Sequence, residues 1–253
     1  MKVLATYNIK GGVGKTSAAV NIAYLAAQDG LRTLLWDLDP QGSATFLFRV
    51  APKVKGGSRA LLRGSRTMDD AIKGTDFERL DLMPADFSFR NLDLDLDSTK
   101  HPTDRLRGLI SPLADEYDLV VLDCPPSASL VSENVVRASD VLLVPLIPAV
   151  LSVRTFEQLS AFVHDLGRPR PQIVAFWSMV DRRKKAHREL SARLPLRYPS
   201  IVDAAIPNLA VIEQMAEQRA PVPVFAPRST ATSAYRALWS RIQQAWATAD
   251  PPP

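Results

Sequence analysis

Residues 10 to 17 read Lys10-Gly11-Gly12-Val13-Gly14-Lys15-Thr16-Ser17, between an apolar run (Val3, Leu4, Ala5) and a helical pattern (Ala18, Ala19, Ile22, Ala23, Leu25, Ala26). A glycine-rich loop between a strand and a helix turns several backbone N–H groups toward one point, and the helix N-terminus behind it adds partial positive charge. Such a loop binds phosphate. Lys15 is placed to reach the β- and γ-phosphates of a nucleotide, and the Thr16 hydroxyl to ligate Mg²⁺. The common pattern, G-x-x-x-x-G-K-[ST], requires a glycine at position 9, where this chain has Ile9; a second lysine, Lys10, stands directly before the glycine pair. A further acid, Asp123, ends the apolar β-branched run Leu119-Val120-Val121-Leu122. A carboxylate at such a strand end can hold the water shell of Mg²⁺.

The stretch K-G-G-V-G-K-T resembles the deviant Walker A loop of the ParA/MinD ATPases. Leu34-Leu35-Trp36-Asp37-Leu38-Asp39-Pro40-Gln41-Gly42 is similar to that family's second motif. Tyr117 to Ser127, with Asp123-Cys124-Pro125-Pro126, is similar to its Walker B strand and switch loop. The three blocks come in the family's order and spacing, and a weaker similarity continues to about Ile242. The resemblance implies ATP and Mg²⁺ as cofactors, with Gly11, Gly12, Val13, Gly14, Lys15, Thr16 and Ser17 around the phosphates. It makes Lys10 a residue that reaches across a dimer to the partner's nucleotide, Asp39 the one that orients the attacking water, and Asp37 a group near the metal and Lys15. Thr16, Asp37 and Asp123 form the expected metal set; Lys10, Lys15 and Asp39 form the catalytic one. Met179 and Pro207 match positions where the family meets adenine. Asn208 departs from the arginine often found after that proline.

The segment 181–200 holds seven basic residues, among them Arg182, Arg183, Lys184, Lys185 and Arg188, and two acidic ones. A solvated helix face accounts for such a run. So does a patch that neutralises DNA phosphates without sequence preference and in a salt-sensitive way. No Phe, Tyr or Trp interrupts 182–197, which argues against base stacking on single strands. Asp93, Asp95 and Asp97 alternate with leucines and read as a half-exposed segment rather than a cation site. His101, His164 and His187 lack metal-ligand spacing. Cys124 is the one cysteine of the chain, which excludes an intrachain disulfide and suits a reducing cytoplasm.

Positioning these groups calls for an α/β fold: a single domain with a mostly parallel twisted sheet flanked by helices, spanning 1–248, with a frayed tail over 249–253. Strands are expected near Lys2–Tyr7, Thr33–Trp36, Leu80–Met83, Leu119–Asp123, Val141–Pro145, Ile173–Trp177 and Ala204–Ile206. Helices are expected over Lys15–Gln28, Thr103–Ala114, Leu130–Ala138, Val153–Leu166, Arg182–Arg193, Val211–Gln218 and Thr232–Thr248. Pro52 to Arg66 shows little periodicity and reads as a loop. Ligands of such sheets bind at the carboxyl ends of the strands, where Gly11–Thr16, Asp37–Asp39 and Asp123 all fall.

The chain has 253 residues, 46% hydrophobic content and a net charge of +4, enough for one large domain and mildly favourable to anionic partners. No apolar stretch approaches the ~18 residues of a membrane span, and no signal peptide or N-terminal DNA-reading module is expected. Two surface roles compete. A ParA-like positioning ATPase would dimerise on ATP, bind nucleoid DNA in the cytoplasm and respond to a stimulating adaptor or cargo protein. A MinD-like switch would need a basic amphipathic C-terminal helix, and the stripe Tyr235, Leu238, Trp239, Ile242, Trp246 is expected instead to pack into the core. A metabolic ATPase of the same superfamily is a third class.

Overall fold

The computed structural model describes residues 1–167 and 169–249; of the tail expected over 249–253, Ala249 instead closes the last helix and the rest lies outside the described residues. Among the described residues eight strands form one sheet: β1 (Lys2–Thr6), β2 (Thr33–Asp37), β3 (Lys73–Gly74), β4 (Leu80–Met83), β5 (Leu119–Asp123), β6 (Val141–Leu146), β7 (Gln172–Val180) and β8 (Ile201–Pro207). Their order is β3-β4-β2-β5-β1-β6-β7-β8, and only β3, at one edge, runs antiparallel to its neighbour. The helices are α1 (Lys15–Gln28), α2 (Ser43–Leu47), α3 (Gly57–Leu62), α4 (Leu92–Asp97), α5 (Arg105–Ile110), α6 (Leu130–Ala138), α7 (Val150–Asp165), α8 (Lys185–Arg197), α9 (Ala210–Glu213), α10 (Met215–Gln218), α11 (Val222–Phe225) and α12 (Thr230–Ala249).

The central strands are continuous apolar runs because both faces of a parallel sheet are covered. Alternate residues divide between two cores. Val3, Ala5, Trp36, Val120 and Leu122 face α3 to α7. Leu4, Leu35, Val121 and Leu143 face α1 and α12. The α12 stripe is core, as expected: Tyr235, Leu238, Trp239 and Ile242 are buried, and Trp246 packs against the same cluster. The Trp239 indole N–H also donates to Asp29 at the end of α1, at 2.7 Å.

Four regions differ from expectation. The segment read as a loop at Pro52–Arg66 contains α3, whose Leu61 and Leu62 enter the core. The alternating acids form α4: Asp95 is buried and accepts from the Ser58 hydroxyl at 2.7 Å, while Asp93 accepts from the Val131 N–H at the start of α6 at 2.8 Å. These acids tie helices together, which a two-residue alternation does not foretell. The basic helix begins at Lys185 rather than Arg182, leaving Arg182, Arg183 and Lys184 in the turn after β7. The helix expected over 103–114 stops at Ile110 and gives way to a tight 3-10 turn at Ser111–Asp115 containing Pro112, a residue without the N–H that an α-helix interior needs.

Register brings the acids together. Thr6 is level with Asp123 across β1 and β5, and Asp37 is level with Asp123 across β2 and β5, all at carboxyl ends.

Candidate functional site

The loop leaving β1 is anchored before it turns. The Asn8 side-chain amide donates to the Pro145 carbonyl at 2.8 Å, and its oxygen accepts the Lys10 N–H at 2.9 Å. Gly12 and Gly14 take left-handed backbone angles, φ 69° and 92°. Gly14 also passes so close to β7 that a Cβ there would stand 2.8 Å from the Ser178 hydroxyl. Val13 is buried, so it offers the site only its backbone. Gly11, Gly12, Gly14, Lys15, Thr16 and Ser17 line a cleft of about 340 Å³, together with Asp39 and Met179. Pro126, Ile212 and Glu213 complete the lining. Met179 itself has a left-handed φ of 56°. Pro207 does not line this cleft; with Arg182 it borders a separate one of about 490 Å³.

The two lysines of the loop differ in environment. The Lys15 side chain is buried and its ammonium donates to the Lys10 carbonyl at 2.9 Å. Burial pulls its pKa down, against the attraction of Asp123 and Asp39. Lys10 is exposed at the mouth of the loop.

Asp37 and Asp123 are fully buried side by side. One Asp37 oxygen accepts from both the N–H and the hydroxyl of Thr45, each at 2.8 Å, and the other accepts the Asp39 N–H at 3.2 Å. Burial, with repulsion from Asp39, lifts Asp37 to about 6 despite these bonds. Asp123 is likewise raised well above the usual carboxylate range, through burial and then repulsion from Asp37, while the Thr16 hydroxyl and Lys15 pull it back. One Asp123 oxygen accepts from the Thr6 hydroxyl at 3.4 Å; the other is buried without a hydrogen-bond partner among the described residues. An orphaned, buried carboxylate oxygen beside a hydroxyl and a phosphate-binding loop fits a hydrated divalent cation. No cluster of three or more metal-ligating side chains occurs among the described residues. Two buried carboxylates beside the Thr16 hydroxyl suit Mg²⁺, which keeps waters and takes substrate phosphates as ligands. Asp39 is half-buried at the tip of its loop, with one oxygen accepting the Gln41 N–H at 2.9 Å.

The switch loop after β5 is also fastened to the site: the Tyr7 hydroxyl donates to the Ser127 carbonyl at 2.7 Å. Asn8, Tyr7 and Thr45 are site residues that the sequence patterns did not single out. Only the placement of Asn8 and Tyr7 directly before the glycine loop hinted at theirs.

In the basic segment, Arg182, Arg183, Lys184, Lys185 and Arg188 are all exposed. Arg183 is clamped by Asp181 at 2.9 Å, which holds the Asp181 carboxyl down at about 2. Lys185 pairs with Glu189 at 3.6 Å. Arg188 donates to the carbonyls of Arg182 and Arg183. Arg182 and Lys184 make no ion pair among the described residues. No described helix is long and apolar enough to cross a membrane.

A glycine loop between the first strand and first helix of a parallel sheet, with acids at the ends of two neighbouring strands, defines a P-loop nucleotide-binding protein. A family model described as an AAA domain matches residues 1–173. The chain is 30% identical over 246 residues to an uncharacterised protein of Pseudomonas putida, covering 94% of this chain and 92% of that one. It is 36% identical over 146 residues to the chromosome partitioning protein ParA of Myxococcus xanthus, 57% of this chain and 52% of that one. Among solved structures, cobyrinic acid a,c-diamide synthase from Mycobacterium smegmatis, with bound ADP and magnesium, superposes with a TM-score of 0.82 at 25% identity, over 100% of this chain and 98% of that one. The ATP complex of McdA from Cyanothece gives 0.84 at 20% identity over 96% of each chain, a likeness of fold. The chain belongs to the ParA/MinD family of ATPases.

Proposed function

We propose that this protein is a small ParA-like positioning ATPase. It binds Mg²⁺-ATP, dimerises on it, holds DNA non-specifically in that state, and hydrolyses ATP slowly until an adaptor or cargo protein stimulates it. The observation that carries this reading is the division of labour within the glycine loop. Lys15 is buried against the loop and serves the nucleotide of its own chain, while Lys10 is exposed and free to serve a second copy. Thr16, Asp37 and Asp123 surround the place for Mg²⁺, which when bound neutralises charge on the phosphates. Lys15 and the loop N–H groups hold the phosphates, Met179 borders the base, and Asp39 orients water. Among the described residues no arginine of this chain lines the cleft, which accords with slow intrinsic turnover. Pro207 retains a part in base binding only if the nucleotide extends past Met179. The catalytic domain is 1–248, and the place of action is the cytoplasm, on the nucleoid.

DNA binding rests on Arg182 and Lys184, the cations of the turn that form no ion pair among the described residues. Replacing both with alanine is expected to lower the salt slope of duplex binding by about two units, with ATP affinity retained. Arg183→Ala is expected to do less, because Asp181 already neutralises Arg183. A double variant that retards DNA like the parent in ATP refutes this surface. The wider reading is tested by calorimetry and light scattering. Lys15→Ala is expected to lose ATP binding, while Lys10→Ala binds ATP and stays monomeric.

Two alternatives remain distinguishable. A MinD-like membrane switch is disfavoured because the apolar stripe of α12 is buried. A metabolic ATPase is favoured by the likeness to cobyrinic acid a,c-diamide synthase; turnover that depends on a small carboxylate rather than on DNA or protein would establish it.

A further inference from the structure

The segment 37–45 joins the end of β2 to α2 and carries Asp39 at its tip. Its lower rim is secured by hydrogen bonds. The Leu38 N–H donates to the Asp123 carbonyl at 2.9 Å, and the Gly42 N–H donates to the Asp39 carbonyl at 2.9 Å. The two ends of the segment meet where Thr45 gives both its N–H and its hydroxyl hydrogen to one Asp37 oxygen, each at 2.8 Å. The Thr45 oxygen in turn accepts the Ala85 N–H, 2.8 Å away, just past the end of β4. Thr45 is fully buried, so water cannot replace any of these bonds. One hydroxyl therefore locks three elements together: the end of β2, the first turn of α2 and the segment after β4.

We infer that Thr45 is the positioning residue for Asp39: by closing the 37–45 loop onto Asp37 and Ala85, it fixes where the Asp39 carboxylate stands over the phosphate cleft. The inference rests on the ATPase reading above and adds a residue that the glycine loop and the acids do not supply. The geometry separates this role from nucleotide binding. Thr45 does not line the phosphate cleft, whereas Asp39 does. Loss of the hydroxyl leaves the phosphate-binding N–H groups and Lys15 in place. It removes one of the two bonds that close the loop, and leaves the Ala85 N–H without an acceptor.

The test compares Thr45→Val, which keeps shape and loses the hydroxyl, with Thr45→Ser, which keeps the hydroxyl and loses a methyl. Three measurements are made on the full chain: Mg²⁺-ATP affinity by calorimetry, single-turnover hydrolysis, and hydrogen–deuterium exchange of the 38–44 amides without nucleotide. The expected result for Thr45→Val is a fall in kcat of ten- to a hundredfold, ATP affinity within threefold of the parent, and exchange of the 38–44 amides at least tenfold faster. Thr45→Ser is expected to recover most of the rate and the protection. Parental kcat and exchange in Thr45→Val overturn the inference. So does a loss of affinity as large as the loss of kcat, which puts the effect on Asp37 and the Mg²⁺ site rather than on Asp39, or failure of the serine to rescue, which marks Thr45 as packing alone. If the parent protein itself turns over no ATP, the ATPase reading fails, and the exchange arm still decides whether Thr45 closes the loop.

Discussion

Replacing Gly14 by alanine sets two separable strains against each other. Gly14 holds φ at 92°, and the added methyl group would stand 2.8 Å from the Ser178 hydroxyl on β7. Gly12, two residues earlier, holds φ at 69° with nothing within 4 Å of the same position. A left-handed alanine costs about 1–2 kcal/mol, offset by roughly 0.4–1 kcal/mol through the stiffer unfolded chain. Gly12→Ala should therefore destabilise the nucleotide-free protein by about 1 kcal/mol. Gly14→Ala carries at least that strain, its φ lying beyond the left-handed region open to an L residue, plus displacement of Ser178. That residue is buried, so its hydroxyl must leave its rotamer rather than swing into water, adding about 1 kcal/mol. For a chain of this size each kcal/mol lowers Tm by about 2–4 °C. Urea and thermal denaturation of the two variants should thus separate them by several degrees. Ser178→Ala removes the obstructing oxygen, so in a double-mutant cycle it should recover about 1 kcal/mol in the Gly14→Ala background and nothing in the Gly12→Ala background. Equal destabilisation by the two alanines, or a cycle that is additive throughout, would refute the claim that β7 presses on the loop.

Asp37 supplies a pH signature. Burial raises it to about 6, so the folded protein binds that proton more tightly than the unfolded chain. The associated stability is present below about pH 4 and lost as pH rises through about 6, on the order of 2–3 kcal/mol. Asp37→Ala should flatten the stability–pH curve of the nucleotide-free protein by that much between these limits, and parallel curves would contradict the assignment. Leu238→Ala, in the buried α12 stripe, should cost about 2–5 kcal/mol by urea denaturation; a loss under 1 kcal/mol, together with wild-type pelleting on anionic vesicles, would return the stripe to a membrane role. Asp39→Ala should bind Mg²⁺-ATP, turn it over poorly and accumulate as a dimer. Light scattering that finds it monomeric in saturating nucleotide would sink the ATP-dependent dimer.

The glycine loop, the order of the three motifs and most strands were legible in the chain because each is a local signal. Left-handed turns demand glycine, and buried parallel strands read as unbroken apolar runs. α1 and α6 run over the expected residues, Lys15–Gln28 and Leu130–Ala138, since each has a distinct helical period and a defined start. What the sequence could not decide was set by register and packing between distant segments. The pairing of β2 with β5 turns Asp37 and Asp123 into a buried, mutually repelling pair. The contact of α2 with the ends of β2 and β4 makes Thr45 the fastening of the Asp39 loop. Packing of α3 on α4 buries Asp95, which its spacing had marked as half-exposed. The turn after β7 binds Arg183 to Asp181, so a run of like charges becomes a smaller set of available cations. A chain's own pattern thus states which groups can act. The partners that hold, neutralise or desolvate them lie tens of residues away, and only the folded arrangement brings them within hydrogen-bonding distance.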